Sequence, residues 1–518
     1  MEINKEPMSI SQAYWGRGIG FHHLYCASEG SKMMKKIGAF GLVFWLAILP
    51  GRGDTATYYV SPGGSNSNPG TLSQPWASPG FAAKRLGAGD TLIILGGTYV
   101  LSQYWEDMIT LENNGTASAW IVIKGEAGNR PVLAGRNNLL AAVDLSGRSY
   151  VRLENLEITH DPGAAGPGIY FRDGIDIGGA PPAGHIILKD LYIHHIDQMA
   201  LNVQDVDDLQ VLNCRFEYCG FGGIGGPAGA AGGIRHLLVQ GCRLAYMGHY
   251  YQGGDGSGRP YDRPDGLGLE PSAGPVVIVD TVSEHNYGDG LDSKAANTYI
   301  RNSIVANNSC DGIKLWADGS KVENCLVYGT GDGVGGSSPW AGIVIETVNP
   351  GNPLFEMVNV TVHDNPARQA YPMYVQYGGG QPLTLVLRNT IIANGSGPVY
   401  CGPTVNLTAQ NNLFYRPGDP VQVEAHGTTY TAAQLAAGVL GPGNISAAPR
   451  FLQPAWGAPG DYHLAAGSPG IDQGTASGAP RVDLDYRKRP QGKTFDMGAY
   501  EFETGKSTPT ITLPLLLD

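Results

Sequence analysis

Charge is scarce in this sequence. Only 15% of its 518 residues are Asp, Glu, Lys or Arg, and acidic residues outnumber basic ones 46 to 34, for a formal net charge of −12. Phosphate recognition needs clustered Lys and Arg, and with no such cluster a nucleic-acid partner is excluded. Cysteine is sparse as well, seven in all, too few for a disulfide-built scaffold. No long segment keeps the 3.6-residue apolar period of a helix. The apolar runs at 37–49 and 511–517 fall short of the roughly 20 residues that cross a bilayer. What the chain does have is glycine, 76 residues, together with 42% hydrophobic content, the composition of a turn-rich β protein. A single globular core stops growing at roughly 250 to 300 residues. The chain is therefore either several domains or one elongated array that adds core rung by rung.

The N-terminal region does not read as fold. Met34-Lys35-Lys36 precedes the apolar run at 37–49, and a Pro-Gly break follows, the pattern of a signal peptide. Residues before Met33 then form an upstream extension or a mis-assigned start. The mature chain is expected to begin near Asp54 and to be secreted or held at the cell surface, as a monomer with no membrane span. The expected organisation is an extension and signal peptide at 1–53, a repeat domain at 54–465, a closing segment at 466–504 and a tail at 505–518. Export permits disulfides, but Cys214, Cys242 and Cys325 each follow a turn residue in a repeat, so stacked, reduced core thiols are expected.

The organising feature is an imperfect repeat in which alternating apolar residues lead to an Asn or Asp, followed by another short apolar stretch. It occurs at Asn155, Asp190, Asn213, Asp280, Asn302, Asn324, Asn359 and Asn389, with spacings of 22 residues from Asp280 to Asn302 and from Asn302 to Asn324. One coil of a parallel β-helix takes about that length, with inward apolar and outward polar residues alternating along each strand. The leucine consensus of leucine-rich repeats is missing. The fold predicted is all-β, a right-handed parallel β-helix of roughly ten coils with a capped N-terminus. The corner Asn or Asp has a structural role, since its side chain tolerates the bend and bonds backbone of the next rung. Residues 89–99 read as the first strand and turn, and Trp120 to Gly125 as the first complete rung. The stretch from Ser468 to Glu501, with Asp483, Arg487, Arg489-Pro490 and Asp496-Met497-Gly498, resembles the closing segment of bacterial surface β-helix proteins with variable C-terminal anchors.

Chemistry is expected where successive repeats carry more than structure: Asp265-Gly-Leu-Gly-Leu-Glu270, Asp289-Gly-Leu-Asp-Ser-Lys294, Asp311-Gly-Ile-Lys-Leu-Trp316 and Ala341-Gly-Ile-Val-Ile-Glu346. They align without gaps. Leu267, Leu291, Ile313 and Ile343 should point inward, which sends Gly268, Asp292, Lys314 and Val344 outward in one column. Rungs are about 4.8 Å apart, so Asp292 should lie beside Lys314, with Asp265, Asp289 and Asp311 stacked at the start of the sheet. Stacked carboxylates repel, and a hard divalent cation, calcium above all, removes that cost. The alternative is that each Asp-Gly is a turn and Asp292 with Lys314 a surface ion pair. Asp173-Gly-Ile-Asp-Ile177 shows the motif without a lysine rung beside it.

These residues resemble the calcium-dependent polysaccharide lyases of family nine, whose β-helix carries an Asp cluster of Asp-Gly-aromatic-Asp type followed by a Gly-Phe-Lys-like strand. The matching stretches run from His285 to Asp292 and from Asn308 to Leu315. The resemblance implies a pectate-lyase-like protein with Asp265, Asp289 and Asp292 as calcium ligands and Lys314 as the base. It implies β-elimination on a uronate polysaccharide such as pectate or rhamnogalacturonan. Gly288 departs from the family, which usually has a further aspartate there; Asp262 or Asp311 can substitute as a ligand. A lysine base must be neutral to act, so activity is expected to favour alkaline pH.

Arg263, Lys294 and Trp316 are the candidate substrate contacts, Trp316 because it shares an outward face with Lys314. Arg259, Arg301, Lys321, Tyr287 and Trp340 are alternatives, and His285 reads as a turn residue. Glycine-rich insertions at 220–234 and 250–264 can wall a groove. Two other classes stay open: a glycoside hydrolase on the same fold, with Asp289 and Asp311 or Asp292 as its carboxyl pair, and a non-catalytic carbohydrate-binding or adhesion protein.

Overall fold

The computed structural model describes residues 55–163, 170–226, 229, 232–253, 263–331, 341–347, 350–364, 371–376 and 381–503. The expectations for the leader at 1–53, for Asp54, Arg259, Asp262 and Trp340, and for the tail at 505–518 lie outside these residues. Within them the chain is a right-handed parallel β-helix. Its first sheet has 13 strands, from Thr57–Val60 to Val405–Gln410; its second has 13, from Ile109–Thr110 to Thr428–Thr431; its third has 12, from Thr98–Leu101 to Leu413–Tyr415. The roughly ten coils expected were too few. The first coils lack the Asn corner by which the repeat was recognised. The first strand is Thr57–Val60, one rung before the expected one, and it pairs in parallel with Thr91–Ile94.

Side-chain alternation builds the core. Along the second sheet Ile175, Leu201, Ile224, Leu267, Leu291, Ile313, Ile343 and Met373 stand in register and are all buried. Such a ladder removes apolar area from water at every rung, at about 25 cal/mol per Å², so the solenoid lengthens without needing a wider core. The N-terminal end is closed by the short helix Pro79–Ala83, whose N-cap Ser78 accepts a hydrogen bond from the Phe81 amide at 3.3 Å. Cys214, Cys242 and Cys325 are buried free thiols, and burial pushes those of Cys214 and Cys325 upward.

The corner ladder takes the left-handed backbone that asparagine and aspartate tolerate, with φ between 47° and 53° at Asn155, Asp190, Asn213, Asp280, Asn302, Asn324, Asn359 and Asn389. In the later coils the side chains do more than bond the next rung. Nδ2 of Asn324 donates to the Val482 carbonyl at 2.6 Å, that of Asn359 to the Asp496 carbonyl at 3.1 Å and that of Asn389 to the Thr475 carbonyl at 2.8 Å. These bonds fasten the C-terminal segment along the flank of the solenoid. Tyr462, Leu484 and Tyr500 of that segment pack against Ile304 and Tyr328 on the outer face of the third sheet. The C-terminal end itself is closed by Thr428–Thr431, which turns back antiparallel to Val421–Ala425, and by the helix Ala432–Ala436. No helix among the described residues is long and apolar enough to cross a membrane.

Candidate functional site

The outward column forms as the spacing predicts. Gly268 registers with Asp292, Asp292 with Lys314 and Lys314 with Val344. The three aspartates at the start of the strands form a ladder of their own. Oδ1 of Asp265 accepts the Asp289 amide at 2.6 Å, Oδ1 of Asp289 accepts the Asp311 amide at 2.8 Å and Oδ1 of Asp311 accepts the Ala341 amide at 2.9 Å. Each carboxylate thus spends one oxygen on the next rung, which is the turn role the sequence allowed. The second oxygen remains for chemistry.

Those second oxygens divide into two groups. Lys314 Nζ lies 3.3 Å from Asp311 Oδ2 and 3.5 Å from Asp289 Oδ2, so Lys314 bridges two turn aspartates instead of pairing with Asp292. Asp265, Asp289 and Asp292 each bring a carboxylate oxygen within 4.8 Å of the others, in the geometry of a possible metal site. Asp311 stands outside that trio, as a partner of the lysine.

Asp292 has its own partners. Its Oδ1 accepts from Trp316 Nε1 at 2.8 Å, and Lys294 Nζ lies 3.2 Å from its Oδ2 and 3.0 Å from Glu270 Oε1. Lys294, one of the candidate substrate contacts, is two residues from Asp292 on one strand and so shares its outward face. Both Nζ atoms lie near the Trp316 ring, Lys314 at 5.5 Å and Lys294 at 5.9 Å from its centroid. Trp316 therefore orients Asp292 and lines the lysine pair. Arg263 sits at the rim, its backbone against Gly288. Arg301 and Lys321 belong to strands of the first sheet, away from this face. Tyr287 packs against His249 with the rings tilted and their centroids 4.0 Å apart, and His285 is a turn residue with φ of 55°.

The electrostatics are those of a carboxylate cluster whose charge the two lysines only partly compensate. Burial, then the charges of Asp289 and Asp292, push Asp265 well above the usual carboxylate range. Burial also raises Asp292, and it carries Asp311 up to about 7, with the charge of Asp289 adding to the effect. Lys314 is raised as well, for the opposite reason. Burial alone would lower it, but Asp289, Asp311 and Asp292 hold its proton more firmly than in an ordinary lysine. Hard oxygen donors converging at this spacing suit calcium, which takes several carboxylate and carbonyl oxygens, and the raised carboxyls show that a positive charge would relieve the cluster.

Residues 58–218 match a family model described as Pel9A-like, right handed beta helix region, and residues 261–430 match a model of the right handed beta helix region. The acidic cluster lies in the second of these. Pectate lyase PEL9 of Emericella nidulans is 30% identical over 132 residues, 23% of this chain and 30% of that protein; the match thus spans under a third of the relative's length. Among solved structures, XylC in complex with xylose is similar over 86% of this chain and 98% of its own, with a TM-score of 0.56 at 11% identity. Pectate lyase Pel9A is similar over 87% of this chain and 97% of its own, with a TM-score of 0.47 at 16% identity. At 11% identity the likeness to XylC speaks for the fold alone. The chain is a right-handed parallel β-helix protein, Pel9A-like in its N-terminal coils.

Proposed function

We propose that the protein is a calcium-dependent polysaccharide lyase that cleaves a uronate-containing chain by β-elimination, with Lys314 as the base. The observation that carries this reading is the placement of a partly buried lysine amine within 3.5 Å of Asp289, itself one of three carboxylates gathered as a possible metal site. The local identity to a pectate lyase supports the same class.

β-Elimination removes the proton beside a uronate carboxylate and expels the glycosidic oxygen. A calcium ion held by Asp265, Asp289 and Asp292 would supply positive charge to the substrate carboxylate as the neighbouring carbon loses its proton. Lys314 can take that proton only in its neutral form. Its carboxylate neighbours oppose this, so compensating the charge of Asp289 and Asp292 is what frees the amine to act. Asp311 holds the amine in place from the other side, and Trp316 fixes Asp292 through its indole N–H. Lys294, over the same ring, is positioned to meet a second uronate carboxylate.

The test is ultraviolet absorbance of unsaturated uronate during incubation with polygalacturonate, rhamnogalacturonan and other uronate polymers, with calcium or with chelator, for wild type and Lys314→Ala. A calcium-dependent signal lost in Lys314→Ala is expected. New reducing ends without that absorbance would make the protein a hydrolase, and neither product from the folded protein would leave it a binding module.

A further inference from the structure

The outer face of the third sheet is divided along the solenoid. Its last coils lie under the C-terminal segment, and its middle coils carry Arg243 between Glu217 and Glu284. Over the first coils it opens as a cleft of about 860 Å³, within the range of small-molecule sites. Thr159 and His194 are register neighbours on its floor. His195 follows His194 directly yet faces the same cleft, because its φ of 52° breaks the strand alternation.

The imidazoles there are wired. His194 Nε2 lies 3.2 Å from Glu157 Oε1, and His194 Nδ1 lies 2.7 Å from His195 Nδ1. Burial lowers the pKa of both rings and of His160. With the His194 proton drawn to the carboxylate, His194 Nδ1 accepts from His195, which leaves His195 Nε2 as an acceptor. The Tyr250 hydroxyl pairs with His160 Nδ1 at 3.1 Å, while His160 Nε2 is buried without a hydrogen-bond partner among the described residues. Val132, Ala134 and Pro162 add an apolar wall. The formal charges among the lining residues are those of Glu157 and Asp161; Arg136 pairs with Asp161 at 3.4 Å, which leaves Glu157 as the charge that disfavours a uronate. A ring stack leads away along the corner: His195 on Tyr218 at 4.9 Å, Tyr218 on Tyr246 at 4.8 Å and Tyr246 on His285 at 5.2 Å. It ends on the rung that carries Asp289.

We propose that this cleft is a second carbohydrate-binding site, specific for a neutral glycosyl unit, on a different face from the acidic cluster. Sugar hydroxyls both donate and accept and so match a cleft that mixes imidazole acceptors with phenol and hydroxyl groups, while the apolar wall and ring edges suit the C–H face of a pyranose. The proposal does not rest on the lyase reading.

The experiment is saturation-transfer difference NMR on the full chain with galactotriose, arabinotriose and xylotriose in turn, and with trigalacturonate as the anionic comparator. At least one neutral trisaccharide should give a signal that weakens tenfold or more in His195→Ala and in Tyr250→Phe, which removes a single hydroxyl. That signal should persist in Asp292→Asn, whereas any trigalacturonate signal should ignore His195→Ala. The proposal is overturned if none of the three neutral probes gives a signal with wild type, or if the signal survives both cleft variants. A uronate signal lost with His195 would equally overturn it. Lyase activity, measured separately, stands or falls without affecting these outcomes.

Discussion

A Cβ placed on Gly288 would fall 2.2 Å from Oδ1 of Asp265 and 2.6 Å from the backbone carbon of Arg263. The departure from the lyase family at this position therefore has a steric reason. Where that family usually carries an aspartate, this chain brings the backbone of the preceding rung so close that a side chain has no room.

Introducing the missing aspartate should consequently fail to improve the site. Gly288→Asp and Gly288→Ala are both expected to destabilise the protein by about 1–3 kcal/mol, the usual cost of overpacking, as a lower thermal midpoint. Gly288→Asp should also weaken calcium binding measured by calorimetry. An unchanged midpoint in both variants would show that the segment at Arg263 yields freely.

Asp311 and Asp292 should separate cleanly. Because Asp311 stands outside the carboxylate trio, Asp311→Asn should leave calcium affinity within a few-fold of wild type. Asp292→Asn should reduce it by tenfold or more. Equal losses by calorimetry would return Asp311 to the ligand set suggested by the sequence.

Lys314→Met removes the cation between Asp289 and Asp311 while keeping most of the side-chain volume. Breaking a largely buried pair leaves uncompensated charge and costs about 3–5 kcal/mol, here reduced because the amine retains some exposure. Chemical denaturation without calcium should show the loss, and added calcium should recover more stability than in wild type. Turnover should fall about 10²–10⁴-fold, the usual contribution of a general base.

His463 gives a pH signature for the C-terminal segment. Its Nδ1 lies 2.7 Å from Asp461 and its Nε2 2.8 Å from Asp485. Burial alone would lower its pKa, but the two carboxylates outweigh burial and hold it above the ordinary 6.5. A raised folded value makes this contribution complete below pH 6.5 and progressively lost as pH rises through the folded value. The thermal midpoint of wild type should thus fall relative to that of His463→Gln as pH rises from 6.5. Parallel curves would mean that the imidazole stays neutral.

The same segment tests how the flank is held. Arg489 Nη1 pairs with Glu501 at 2.7 Å, and its Nη2 donates to Asn324 Oδ1 at 3.1 Å and to the Ala499 carbonyl at 2.8 Å. Arg489→Met should leave Glu501 buried and unpaired, cost about 3–5 kcal/mol and expose residues near 480–500 to limited proteolysis. A wild-type cleavage pattern would refute this.

The central coils were legible because their signal is local. Leu291 and Ile313 had to face inward and Asp292 and Lys314 outward once the Asp-Gly repeats aligned without gaps, since strand alternation permits no other arrangement. The first N-terminal rung, Thr57–Val60, was missed because it carries no Asn corner. The histidine cleft went unread for a related reason. His194 and His195 are adjacent, and a period-two reading sends them to opposite faces, whereas the positive φ at His195 brings them together.

Composition, alternation and repeat length by themselves determined the all-β solenoid, the register of its central rungs and which side chains share an outward column. These follow from short-range geometry, in which inward and outward are decided residue by residue. Tertiary structure alone decided which partners the outward side chains take, within a rung and across rungs. Lys314 meets Asp289 and Asp311, Asp292 goes to Lys294 and Trp316, and Asn324 and Asn359 bind a segment more than a hundred residues away. A long side chain within reach of several partners settles by distance, burial and the hydrogen bonds already spent on the backbone, and none of these exists until the coils are stacked.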